Sequence, residues 1–212
     1  MIVIISDKYK FMFIHIPKTG GSTVTWRFKK IINNPRGIDL ENISVQKGWQ
    51  GRLHYNKQHS SYLENKWRFL FRRNYTVFAY VRNPWDLMFS WYTAISRSNS
   101  IPNPKEFNEF VIKPPERYRS RIYKTQTSYL CNRENIIAID MILKYEDFEN
   151  EFKRIVDFFC IPKHSINLED RNISNPGALD YRDFYDKNSE EFVHNMFRDD
   201  VENFGYKYSD CS

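Results

Sequence analysis

The sequence predicts one α/β domain over residues 1–212, with a central parallel β-sheet flanked by helices. Three observations predict it. Two apolar, β-branched and aromatic runs, at 10–16 and 75–81, are nearly continuous, as strands buried on both faces are. Each gives way to a polar turn and then a helical pattern, the alternation that builds a parallel sheet. The chain is 212 residues long with 17% aromatic residues, enough for its own packed interior, and it shows no repeat or low-complexity stretch.

The first strand is expected at 10–16 and a helix at 21–32, where Asn33-Asn34-Pro35-Arg36-Gly37 breaks it. The stretch to Asn56 is polar and uneven, a loop with a short strand. A helix is expected at 60–71, with Tyr62, Leu63, Trp67, Leu70 and Phe71 on one face. The second strand ends at Val81, and Pro84 suits the first turn of a helix reaching about Ser96. A short helix at 104–111 stops before Pro114-Pro115, and another is expected at 122–130. Residues 136–145 hold one or two short strands. The 146–159 segment is amphipathic, with Phe148, Phe152, Ile155, Val156 and Phe159 on one face. The last helix is expected at 189–204 as one piece, with Gly205 as its cap. Ligands of such sheets sit at the carboxyl ends of the strands, so the turns after the two runs are the place to look for chemistry.

The first turn reads Ile16-Pro17-Lys18-Thr19-Gly20-Gly21-Ser22-Thr23. Strand, glycine turn and helix together aim backbone N–H groups at an anion. Glycine lets the backbone come close, Lys18 brings a compact charge, and Thr19, Ser22 and Thr23 bring hydroxyls. The common nucleotide loop places lysine after its glycines; here lysine precedes them, which disfavours an ATP or GTP site. The dinucleotide pattern G-x-G-x-x-G is absent.

The order Pro17-Lys18-Thr19-Gly20-Gly21-Ser22-Thr23 resembles the 5′-phosphosulfate loop of sulfotransferases that use 3′-phosphoadenosine-5′-phosphosulfate (PAPS), best in their carbohydrate and bacterial branch. The second turn, Val81-Arg82-Asn83-Pro84-Trp85-Asp86 with Ser90 beyond it, resembles the 3′-phosphate segment of the same family. The blocks at 142–148, 180–185 and 204–206 fit as well, so the resemblance spans most of the chain. It implies a P-loop-like sulfotransferase fold, PAPS as donor and 3′,5′-ADP as product, with no metal. It implies Pro17 to Thr23 as the phosphosulfate loop, Arg82 and Ser90 on the 3′-phosphate, and direct transfer to an acceptor hydroxyl. The base is expected at His59, because Gln58-His59-Ser60-Ser61 resembles the family's segment opening a helix; glutamine stands where the family has lysine, and His54 is second choice. Lys18 is the catalytic cation, balancing charge on the leaving phosphate oxygen. His15, within the first strand, reads as a hydrogen-bonded core residue, and His164 and His194 read as structural or exposed. Trp26 and the 172–177 loop are candidates for adenine, or plain core and loop.

The net charge of +6 suits an anionic donor and a carbohydrate or glycoconjugate acceptor, neutral or itself acidic. Basic clusters stand at Arg68, Arg72 and Arg73 and at Arg117, Arg119 and Arg121; such clusters are either solvated faces or anion contacts. No nucleic-acid motif accompanies the charge. Mean hydropathy is −0.67 and no run approaches a membrane span. The apolar 1–5 stretch is too short for a signal peptide, so a cytoplasmic enzyme of bacterial or viral type is expected. Cys131, Cys160 and Cys211 form no disulfide framework or metal spacing. A nucleotide kinase, a PAPS-binding protein without activity and a basic nucleic-acid binder are the competing readings.

Overall fold

The computed structural model describes residues 3–28, 61–62, 73–96, 102–166 and 179–210. The chain divides into two compact units, Met1–Tyr80 with Tyr129–Asn172, and Val81–Ser128 with Ile173–Ser212.

The first unit is built on a four-stranded sheet of order β1-β2-β3-β4, made of Val3–Ser6, Phe11–Ile14, Thr76–Val81 and Met141–Lys144. β2 and β3 run parallel with Phe11 opposite Thr76 and Ile14 opposite Ala79, as the two apolar runs predict. Their carboxyl ends therefore emerge at one edge of the sheet. β1 is an addition to the expectation: it pairs antiparallel with β2, Val3 opposite Ile14. The β-branched run Val3-Ile4-Ile5 suits a strand but by pattern alone carries no partner, and it becomes a strand by completing the hydrogen bonds of β2's outer edge. α1 (Gly21–Arg27) and α6 (Phe148–Phe158) lay Val24, Phe152, Ile155 and Val156 against Phe11, Phe13, Phe78 and Tyr80 of the sheet. Phe11 and Phe28 approach to 5.2 Å between ring centroids, and Phe28 and Phe152 to 5.0 Å, so aromatic contacts dominate this core.

The second unit is helical. α2 (Pro84–Ser96) and α3 (Pro104–Ile112) stand as predicted to within a residue. Asn103 caps α3 by accepting from the Lys105 and Glu106 N–H groups. The predicted 122–130 helix is replaced by α4 (Glu116–Ile122) and α5 (Thr127–Leu130). The predicted 189–204 helix is two, α7 (Lys187–Met196) and α8 (Arg198–Phe204), parted at the buried Phe197. Both breaks have one cause. Asp200 turns inward and accepts from the N–H groups of Gln126 (2.8 Å) and Thr127 (2.7 Å), capping α5 from across the unit. Gly205, at φ 64°, closes α8 as expected. Trp85, Phe107, Ile122, Tyr181, Val193 and Phe197 share this unit's core. The 60–71 helix and the loop before Asn56 lie outside the described residues, apart from Ser61 and Tyr62.

Candidate active site

The Lys18 turn leaves β2 through the buried residues Ile16 and Pro17. Two residues in it take the left-handed conformation, Lys18 at φ 67° and Gly20 at φ 77°. Glycine adopts it freely, but lysine pays roughly 1 kcal/mol or more, a strain retained at functional loops when the surroundings enforce it. Thr19 does the enforcing: fully buried, its hydroxyl donates to the Ile16 carbonyl at 3.0 Å. Its side chain thus holds the shape of the turn and leaves the hydroxyls of exposed Ser22 and half-buried Thr23 as the outer ones. The N–H groups of Thr23 and Val24 donate to the Gly20 carbonyl at 2.9 and 3.1 Å, starting α1.

Close approach at the glycines is made by the protein's own rings. A Cβ on Gly21 would stand 1.9 Å from His15 Cδ2, and one on Gly20 would stand 3.0 Å from both Phe148 and Tyr145. His15, read from sequence as core, is half-buried and lies on the turn itself. A histidine six residues before a glycine carries no spacing signal for that contact. α1 is then clamped: Arg27 gives Glu149 two hydrogen bonds, at 2.9 and 2.6 Å, while its guanidinium packs on Phe148 and Phe152 at 5.2 and 4.8 Å.

The Arg82 segment follows β3. Arg82 and Asp86 form a bidentate pair, Nε to Oδ2 at 2.6 Å and Nη2 to Oδ1 at 2.9 Å, with both side chains largely buried. Two of the five guanidinium N–H donors are used this way, so Asp86 fixes the plane of the group. Ser90 stands one helical turn beyond Asp86, on the same face of α2. Gln126 holds the backbone of Arg82 as a strand neighbour would: it accepts from the Arg82 N–H at 2.8 Å and donates to the Arg82 carbonyl at 2.7 Å. Burial pushes the Asp200 carboxyl above its ordinary range, against the hydrogen bonds from Thr127 and Gln126 that favour its charge. Asn83, fully buried, caps α2 by accepting from the Trp85 N–H (3.1 Å) and donates to the Lys207 carbonyl (2.9 Å). Asp86 was legible as an i+4 carboxylate after Arg82; nothing in the sequence marks Gln126 or Asp200.

His59 and His54 lie outside the described residues, as does the 172–177 loop. His164 and His194 are exposed, and His194 stacks on Trp85 at 6.1 Å. Trp26 is half-buried. Among the described residues no cluster of three or more metal-ligating side chains occurs, and no helix is long and apolar enough to cross a membrane.

A family model described as the sulfotransferase family matches residues 2–207. Neither the curated proteins nor the solved structures contain a match to the chain.

Proposed function

The chain belongs to the sulfotransferase family, whose reaction is sulfuryl transfer, and from that premise we propose that it moves the sulfuryl group of PAPS to a hydroxyl of a carbohydrate or glycoconjugate. The observation that carries this is the Lys18 turn: a strained lysine and a left-handed glycine, pinned by Thr19, at the carboxyl end of a buried strand. The donor set there, one ammonium with hydroxyls and backbone N–H groups, suits a phosphate or sulfate.

Residues Pro17 to Thr23 would hold the 5′-phosphosulfate, and Arg82 with Ser90 the 3′-phosphate. Bound there, PAPS supplies the sulfuryl group and leaves 3′,5′-ADP. His59 takes the proton of the acceptor hydroxyl on its imidazole, and His54 is the alternative base. Lys18 neutralises the charge that grows on the leaving phosphate oxygen, which removes the need for a metal in this reading. Asp86 keeps the Arg82 guanidinium aimed.

The test is thermal stabilisation by 3′,5′-ADP compared with 5′-AMP and with magnesium-ATP. At about one hundred times its Kd a specific ligand adds roughly 2.7 kcal/mol, a rise of roughly 5–10 °C for a chain of this size. A shift confined to 3′,5′-ADP supports the reading. A shift only with magnesium-ATP would move the chain to the kinases. His59→Ala should lower kcat by more than about tenfold; a smaller loss removes His59 as the base.

A further inference from the structure

Beyond Gly205 the chain runs on without helix or strand over 206–210. No period holds such a segment in place, yet it is fixed at every residue from 207 to 210. It closes its own turn: the Asp210 N–H donates to the Lys207 carbonyl at 3.1 Å, and the Asp210 carboxylate accepts from the Lys207 N–H at 2.7 Å. Tyr181, fully buried, sends its hydroxyl to the carbonyls of Tyr208 and Asp210, at 2.6 and 2.8 Å. Arg182 donates to the Ser209 carbonyl at 3.1 Å, and the Tyr208 hydroxyl donates back to the Arg182 carbonyl at 3.2 Å.

This strap reaches the start of α2 through one side chain. Asn83 follows Arg82 directly and is fully buried. Its amide oxygen caps α2 on the Trp85 N–H, and its amide nitrogen donates to the Lys207 carbonyl. Both lone pairs of that carbonyl are thereby engaged, one by the turn and one by Asn83. Any shift of the Arg82 segment must break the cap or the tie to the strap, and either loss leaves a buried polar group without its partner. Packing repeats the link: the Tyr208 ring meets Trp85 and Tyr185 edge-on, both at 5.7 Å, and the Tyr185 hydroxyl donates to the Trp85 carbonyl at 2.9 Å.

We propose that the 206–210 strap positions the Arg82 segment for the donor's 3′-phosphate. Asn83 is the positioning residue through which it acts, and Tyr181 holds the strap down. The proposal rests on the reading of Arg82 and Ser90 as the 3′-phosphate groups, and the strap itself touches no nucleotide. Its contribution is preorganisation: a segment already fixed loses less freedom when the anion arrives.

The experiment compares Tyr181→Phe with Tyr123→Phe in the full chain. Each removes a hydroxyl of the second unit that donates to two carbonyls, those of Val111 and Ile112 for Tyr123, so a general loss of stability is matched. Calorimetry with 3′,5′-ADP and 5′-AMP reads the site. Tyr181→Phe should weaken 3′,5′-ADP by about three- to tenfold, the size of one net hydrogen bond, and leave 5′-AMP unchanged. Tyr123→Phe should bind both as the parent does. A merely structural loss would not select the nucleotide with the 3′-phosphate. Asn83→Asp keeps an oxygen for the Trp85 N–H and loses the donation to Lys207, so it should weaken 3′,5′-ADP similarly. Combined with Tyr181→Phe it should do little more than either alone, because both act through one segment.

Unchanged 3′,5′-ADP affinity in Tyr181→Phe overturns the strap, and so does an equal loss in Tyr123→Phe or an additive loss in the double variant. Amide exchange at Leu87, whose N–H donates to the Asn83 carbonyl at 2.8 Å, reads the same hold without nucleotide. It should speed up about three- to tenfold in Tyr181→Phe and not in Tyr123→Phe. If the parent binds no 3′,5′-ADP and Leu87 still exchanges faster, the donor reading falls and the strap's hold on the segment stands; unchanged exchange at Leu87 removes the strap.

Discussion

The Lys18 turn and the Arg82 segment follow parallel neighbouring strands, yet they are held by opposite means. The Lys18 turn is shaped by steric contact: rings of His15, Tyr145 and Phe148 press on two glycines, and one hydroxyl pins the backbone. The Arg82 segment is shaped by a buried polar network, Asp86 on the guanidinium, Gln126 on the backbone, and Asp200 behind Gln126. A site held by packing fails when volume is added. A site held by hydrogen bonds fails when a partner is removed.

Asp200→Ala gives the largest effect. It strands the buried N–H groups of Gln126 and Thr127, at about 1–3 kcal/mol each, so roughly 4 kcal/mol should be lost in urea unfolding. A loss under about 1 kcal/mol would mean that water replaces the carboxylate and that the network is not the support described.

Gly21→Ala comes next and probes the other mode. Helix propensity alone makes this change at the buried first residue of α1 favourable by about 0.5–1 kcal/mol. The contact of 1.9 Å with His15 opposes it, and overpacking should lower stability by roughly 1–3 kcal/mol. His15→Ala in the same chain should restore most of it; if the pair is no better than the single variant, the ring is not what excludes a side chain at Gly21.

Arg82→Lys should leave the fold intact and weaken 3′,5′-ADP by about 10- to 100-fold, because a lysine cannot make the planar pair with Asp86 and aim the remaining donors. Binding of 5′-AMP, which lacks the 3′-phosphate, should change little. Equal weakening of both nucleotides by calorimetry would take Arg82 off the 3′-phosphate.

The smallest effect appears only in alkali and belongs to the shell around α2. The hydroxyls of Tyr181, Tyr185 and Tyr208 donate to the carbonyls of Tyr208 and Asp210, of Trp85, and of Arg182. Burial raises all three, Tyr208 up to about 12. A raised value favours the protonated form in the folded chain. The contribution is therefore complete below the unfolded value of about 10 and fades as pH rises through about 12. Tyrosinate absorbance should appear together with loss of the second unit's structure; tyrosines ionising near pH 10 with the fold retained would contradict this.

Legibility in the sequence followed the same division. β2, β3, α2 and α6 could be read because apolar periodicity and punctuating prolines are local signals, and both turns could be read because each is a contiguous motif. The breaks at Phe197 and before Thr127 could not, since no glycine or proline marks them. They arise because Asp200 and Gln126, 74 residues apart, must meet.

The sequence by itself determined the family, the parallel pair of strands and the residues of both turns, because those depend on short-range pattern and residue chemistry. Tertiary structure decided that β1 completes the sheet, that Thr19 turns inward, that His15 rather than a ligand crowds Gly21, and that Asp86, Gln126 and Asp200 stand behind Arg82. Asp86 apart, whose i+4 spacing from Arg82 is a helical period, each of these is a contact that the order of residues does not mark, and only the closing of the core brings the partners within hydrogen-bond or van der Waals reach.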